Sequence, residues 1–160
     1  MAGDGFWLPI TSGAAASGVP LIAAKSADET VASSTAMQAD NDLTIAVDAN
    51  TRYALTMFLL FNAPATPDIQ IGWSVPAGAT LNWHRETSGV TGTTGLTDAL
   101  VATNTEPIAG DGADDVFVIH GFVKVGATAG TVTFQWAQLA SDAAATTVRA
   151  GSWLKLEPIA

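Results

Sequence analysis

Short runs in which every second residue is apolar are the feature of this sequence that most restricts its fold. The run LTIAV places Leu43, Ile45 and Val47 on one side of an extended chain, and DIQIGWSVP repeats the spacing over residues 68–76. A period of two is typical of half-buried β-strands, and helical periodicity is nearly absent. Gly, Pro, Asn and Asp separate the runs. The pattern predicts an all-β protein, an antiparallel β-sandwich or jelly roll of roughly eight to ten strands.

The chain divides into an arm and one domain. Its 160 residues are enough for a single core. We expect residues 21–160 to form the sandwich, with a long Gly- and Thr-rich loop at 87–112 that is a candidate binding loop. Residues 1–20 are predicted to be an extended N-terminal arm that docks on its own domain or on a neighbour; alternatively, two of its aromatic residues cap the core. The residues proposed for partner docking are Phe6, Trp7, Leu8 and Ile10.

Charge and composition exclude several classes of function. Lys and Arg number 6 against 15 Asp and Glu, so the net charge of −9 argues against nucleic acid as a partner. The longest apolar run, YALTMFLLF, is about half of a membrane-spanning helix, and the start MAGDGFWLPITSG does not have the form of an export signal. No cysteine is present for a disulfide or a thiolate metal site. Phosphate-loop and dinucleotide-binding motifs do not occur, so no cofactor is expected.

Two runs are apolar on both sides of the extended chain, which predicts strands covered on both faces. They are YALTMFLLF, residues 53–61, and VFVIHGFVKV, residues 116–125. The mean hydropathy of +0.30 is high for a free-standing domain, so we expect other subunits to supply the second cover. The predicted interface residues are Tyr53, Leu55, Phe58, Leu60, Phe117, Ile119, His120 and Phe122.

The two histidines are weak candidates for catalysis. A hydrolytic triad needs a nucleophile beside a base, and the sequence has neither a G-x-S-x-G elbow nor a cysteine. His120 lies in an apolar run, as expected for a core or interface histidine, and His84 is expected at a strand end in solvent. Trp83 and His84 precede the long loop and are candidate ligand contacts, with Trp83 exposed. No enzyme is predicted; a hydrolase using His84 and Glu86 is a separate hypothesis.

Acidic residues cluster in GDGADD, residues 110–115, where Asp111, Asp114 and Asp115 could offer oxygen ligands to a cation. No Glu follows at the spacing of an EF-hand, so we interpret this segment as a solvated turn and predict no metal. The acidic stretch QADND, residues 38–42, is interpreted in the same way.

Three segments resemble a family of virion proteins of tailed phages of actinobacteria: KSADETVASSTAMQADNDLTIAV, ANTRYALTMFLLFNAPATPDIQIGWSVPAGATLNW and TVTFQWAQLASDAAATTVRAGSWLKLEPI. The likeness spans residues 25–84 and 114–158, and its core is similar to the trimeric jelly rolls of tumour necrosis factor and complement C1q. The resemblance implies that the Ser, Asp, Ala and Thr segment after Trp136 is the turn between the last two strands. It also implies that Trp136 and Trp153 pack the sandwich.

The function implied by this resemblance is structural. We expect a homotrimeric capsid decoration protein on the outer surface of the virion head, bound to the major capsid protein and stabilising capsomer junctions. The alternative is a tail-tip or fibre-head adhesin, assembled with tail proteins, that binds a host glycan through residues 87–112 and Trp83.

Overall fold

The computed structural model describes residues 18–86 and 100–159, and its regular secondary structure is β-strand throughout. Within these ranges no helix has the length and apolar character needed to cross a membrane. The twelve strands found there are β1 Leu21–Ala24, β2 Glu29–Val31, β3 Gln38–Val47, β4 Arg52–Asn62, β5 Ile69–Ser74, β6 Thr80–Arg85, β7 Leu100–Val101, β8 Glu106–Ile108, β9 Asp114–Lys124, β10 Gly130–Ala137, β11 Thr146–Val148 and β12 Trp153–Ile159.

Two antiparallel sheets form a sandwich of the jelly-roll type, as the sequence predicts. The large sheet has the strand order β1-β12-β4-β9-β6-β7, and β11, which also pairs with β2, continues along β4 beyond the end of β12. The small sheet has the order β3-β10-β5-β8. Non-consecutive strands are neighbours in both sheets, so the chain crosses between the sheets, as it does in jelly rolls.

More strands are present than the eight to ten predicted. The last part of the chain forms two strands, β11 and β12, where one was predicted. The segment after Trp136 therefore leads from β10 to β11 and not directly to the last strand. The short strands β7 and β8 lie in the segment expected to be a loop. Backbone pairing with β6 and β5 orders residues whose sequence shows no alternation. The predicted arm lies outside the described residues, apart from residues 18–20.

The core forms between the sheets from the residues that alternate in sequence. In β3, β5 and β10 the predicted inward positions are buried. Trp73 packs edge-on against Phe134, with ring centroids 5.4 Å apart, an arrangement favoured between aromatic rings. The buried residues predicted from alternation are Leu43, Ile45, Val47, Ile69, Ile71, Trp73, Val132, Phe134 and Trp136.

Gly121 sets the packing where β9 meets β6. It lies opposite Leu55 on β4 and Trp83 on β6, on the core side of the large sheet. A Cβ at this position would lie 2.9 Å from the Asn82 carbonyl oxygen and 3.2 Å from the Trp83 Cβ. The absence of a side chain therefore makes room for the Trp83 indole inside the sandwich.

Candidate interaction surface

The two doubly apolar runs are β4 and β9, which are adjacent in the large sheet and pair over eleven residues. Odd-numbered residues of both strands point into the sandwich, and even-numbered residues point outward. Tyr53, Leu55 and Ile119 are consequently buried core residues. Their prediction as oligomer interface residues is wrong, because both parities are apolar and the sequence does not indicate which one faces the core.

Phe117 also belongs to the inner side of the large sheet. Its ring stacks on Phe61 at a centroid distance of 5.4 Å, and the Arg85 guanidinium lies 5.3 Å from the Phe117 centroid. Arg85 in turn donates a hydrogen bond to Glu106 at 3.2 Å. Phe117 is thus partly buried and packed against the core of its own chain. The predicted interface residues that do lie on the outer face are Phe58, Leu60, His120 and Phe122.

An apolar band crosses this outer face, the surface of the large sheet that points away from the small sheet. Phe58 stacks on Trp153 with centroids 6.3 Å apart and ring planes 7° apart. Their side chains are half-buried, and the neighbouring Val116 is 46% exposed. Trp153 therefore does not pack the sandwich as expected. The apolar band consists of Phe58, Leu60, Val116, Val118 and Trp153, contributed by β4, β9 and β12.

Further exposed apolar residues lie on the same face outside the apolar band. Phe122 is 38% exposed and lies opposite Ala54 on β4 and Asn82 on β6. Val101 on β7 lies opposite Asn82 and is also exposed. We call Phe122 and Val101 the edge cluster, because they lie toward the β6 and β7 side of the sheet. Ile22 on β1 is exposed at the opposite edge.

A polar row separates the apolar band from the edge cluster. It runs from β6 to β12 through His84, His120, Thr56 and Lys155, each directly opposite the next in register. The two imidazole centroids are 5.7 Å apart. Glu86 Oε1 lies 3.1 Å from His120 Nε2, so this carboxylate contacts the histidine of β9. We call these four residues the histidine row.

The outer face of the small sheet has a different character. Its exposed positions include Thr44 and Thr131, and the hydroxyls of Thr44 and Thr133 are 2.8 Å apart. Ser74 is exposed opposite Thr133. One side of the sandwich is therefore suited to water, whereas the other presents aromatic and aliphatic side chains, the composition typical of a protein interface.

The proposed ligand contacts are not placed as expected. Trp83 is only 1% exposed and packs edge-on against Trp73 at 6.3 Å. Its Nε1 donates a hydrogen bond to the Val101 carbonyl oxygen at 3.2 Å. The expectation that Trp83 is an exposed platform is wrong, because Gly121 opens space for its indole in the core. His84 lies on the outer face and is half-buried.

The acidic turn after β8 is engaged with its own chain. Asp114 Oδ1 accepts hydrogen bonds from Arg149 Nε at 3.0 Å and Nη2 at 2.9 Å. Asp111 accepts the Ala113 N–H at 2.8 Å. Burial, followed by the charges of Asp111 and Asp114, raises the pKa of Asp115 above its usual value. No group of three or more potential metal ligands is found across residues 18–86 and 100–159.

The acidic stretch of β3 contains the feature that the sequence interpretation missed. Asp40 is buried and accepts hydrogen bonds from Lys25 Nζ at 3.0 Å and Trp136 Nε1 at 3.2 Å. Glu29 accepts from the same ammonium at 2.6 Å. Lys25 is the only Lys or Arg before Arg52 and has four acidic residues within 17 positions after it, a signal that could have revealed the pair. The prediction of a solvated turn over residues 38–42 is wrong.

No known protein family, curated protein or solved structure matches this chain. The resemblance to phage virion proteins and to the trimeric jelly rolls therefore stays a prediction from the sequence.

Proposed function

We propose that this chain is a non-enzymatic structural protein that assembles as a homotrimer and decorates the outer surface of a phage head. In this role it binds the major capsid protein and stabilises capsomer junctions. The observation that carries the proposal is the apolar band on the outer face of the large sheet. The phage assignment rests on the resemblance of residues 25–84 and 114–158 to virion proteins.

Burial of the apolar band supports association between copies of the chain. Removing apolar surface from water contributes about 25 cal/mol per Å². Phe58 and Trp153 are already stacked, so little side-chain freedom is lost when a partner covers them. The polar outer face of the small sheet would then be the side left in solvent.

The arrangement of two apolar patches supports a ring rather than a pair. A twofold dimer joins the same patch on both subunits, whereas a cyclic trimer joins two different patches on neighbouring subunits. The apolar band and the edge cluster are two such patches, separated on one face by the histidine row. Contact between the apolar band of one subunit and the edge cluster of the next would be such a head-to-tail contact, which closes a ring where the rotation between subunits allows it. A trimer matches a quasi-threefold site by symmetry.

The attachment to the capsid is assigned to the N-terminal arm. Its partner-docking residues, Phe6, Trp7, Leu8 and Ile10, lie outside the described residues, so their role comes from the sequence alone. The described chain begins at Gly18, next to the edge strand β1.

Two measurements test the proposal. Light scattering of the purified chain should give about three times its mass of 16.3 kDa. A stable monomer at micromolar concentration would remove the assembly proposal. Gold-labelled antibody against the chain should decorate intact heads of the phage that encodes it. Label confined to the tail would favour the adhesin, whose proposed ligand contact Trp83 is buried here.

A further inference from the structure

The histidine row lies inside the surface that the proposed function buries. Phe58, Val118 and Trp153 occupy the register row on one side of it. Phe122 and Ala54 occupy the row on the other side. In the proposed ring one neighbour covers the apolar band and the other covers the edge cluster, so the imidazoles lie between the two covered surfaces. His120 has a side-chain exposure of 38% in the single chain, so it has solvent contact to lose.

Among the described residues, one carboxylate lies within hydrogen-bond distance of the two imidazoles, so only one imidazole has a negative charge beside it. Glu86, just beyond the end of β6, is the carboxylate within hydrogen-bond distance, and it contacts His120. On β12, Lys155 belongs to the row itself and pairs with Glu157 at 3.1 Å. Lys124 on β9 and Arg52 on β4 lie opposite each other two register rows away. Arg85 points to the core side, where it pairs with Glu106.

Protonation of both histidines would place two positive charges on adjacent strands. Imidazole is the side chain that gains its proton between about pH 5 and pH 8. Glu86 can compensate one imidazolium at His120. The second charge, at His84, would repel the first across a centroid separation of 5.7 Å. Burial against a partner removes the water that screens this repulsion in the free subunit.

From this arrangement we infer that His84 and His120 make the self-association of the chain acid-sensitive. The assembly tolerates at most one of the two imidazolium charges, and it separates into folded subunits on acidification, when both imidazoles are charged. The inference rests on the proposed assembly through the outer face of the large sheet. It adds a regulated step, release or rearrangement of the decoration layer on acidification, to that function.

The sign and size of the effect follow from proton linkage. A free subunit binds more protons than an assembled one, so lowering the pH favours the free state. Each extra proton changes the association constant about tenfold per pH unit. One excluded proton per subunit therefore predicts a fall of up to about tenfold per pH unit for each subunit released.

The test measures the mass of the full chain by sedimentation at several concentrations between pH 8.0 and 5.5, with circular dichroism at each pH. The wild type is expected to be a trimer at pH 8.0 and to dissociate, still folded, by pH 5.5. The variant with His84→Asn and His120→Gln is expected to stay assembled throughout. Each single variant, which leaves one imidazole and hence one possible charge, is expected to lose most of the pH slope. These single variants keep the test valid if the double variant does not fold.

Other outcomes separate this inference from the proposed function. A trimer of unchanged mass at pH 5.5 overturns the acid sensitivity and leaves the assembly standing. A double variant that dissociates at the same pH as the wild type would also overturn the acid sensitivity. Loss of the β-sheet signal over this pH range would also overturn it. A monomer at pH 8.0 overturns both proposals together.

Discussion

The ammonium of Lys25 lies 3.0 Å from a carboxylate oxygen of Asp40, and both side chains are buried. The same carboxylate accepts the Trp136 indole N–H through its other oxygen. Asp40 therefore connects the segment after β1 with β3 and β10. Leu43, three residues further along β3, also donates its backbone N–H to Asp40 Oδ1 at 3.0 Å.

Replacing Asp40 by Ala is expected to lower the free energy of unfolding by about 3 kcal/mol. Breaking a buried ion pair leaves an uncompensated charge, and the Trp136 N–H also loses its acceptor. Urea denaturation at fixed protein concentration measures the loss. Asp42→Ala is the matched control, because Asp42 is more exposed and lies 3.8 Å from the ammonium; it should cost less than about 1 kcal/mol. Equal losses in the two variants would contradict the buried-pair interpretation.

The pH dependence of this pair has a definite sign. Burial alone would lower the pKa of Lys25, but hydrogen bonds to Glu29 and Asp40 outweigh it, so the pKa is raised above its ordinary value of 10.5. The stabilisation is then fully present below that value and is lost as the pH rises through the raised pKa. The wild type should consequently be more stable than Lys25→Met below pH 10.5, and the difference in unfolding free energy should shrink as the pH rises above that value. A difference that stays constant across this range would argue against a raised pKa.

Asp115→Asn is expected to stabilise the protein at pH 7. Burial, with the charges of Asp111 and Asp114, raises the pKa of Asp115 in the folded state, so the folded chain favours the protonated form. Its stabilising contribution exists below the ordinary value of 3.8 and disappears as the pH rises through the raised pKa. Thermal unfolding should show a higher Tm for the variant at pH 7 and a smaller difference near pH 3. Asp48→Asn, an exposed position with the same change in net charge, is the control.

Val116→Lys is expected to weaken self-association about 100-fold, which corresponds to about 2.8 kcal/mol. Val116 is exposed in the single chain, so the variant should fold, but a partner covering the apolar band would bury an unpaired ammonium. Thr131→Lys is the matched control on the outer face of the small sheet. Sedimentation equilibrium measures both dissociation constants. An equal effect of the two substitutions would show that the apolar band is not the interface.

Substitutions of two tryptophans should distinguish a core position from a surface position. Trp83→Ala is expected to cost about 3 to 5 kcal/mol of unfolding free energy, because it removes a fully buried indole. Trp153→Ala should cost less stability and should instead weaken association, because Trp153 lies half-buried on the outer face beside Phe58. Denaturation and sedimentation of both variants provide the comparison. A Trp83→Ala variant of unchanged stability would contradict the placement of this side chain in the core.

The eight predicted interface residues show which part of the candidate surface could be predicted from the sequence. Apolar residues at both parities predicted β4 and β9 as strands covered on both faces, and both strands do carry apolar side chains on the outer face. The division between Phe58, which points outward, and Leu55, which points inward, depends on the register with β12 and β9. A shift of one residue would exchange the two sets, and an evenly apolar strand carries no signal against that shift.

The sequence by itself determined the all-β class and the core of the small sheet, because strict alternation leaves one possible buried face for residues such as Ile45 and Phe134. Tertiary structure alone decided that Asp40 is buried, that Trp83 is in the core and that Trp153 is outside. Each of these placements depends on a distant residue: Lys25 for the carboxylate, Gly121 for the space that holds the indole, and Phe58 for the stacked ring. Local patterns specify which residues share a side of a strand, whereas packing between distant segments decides what that side contacts.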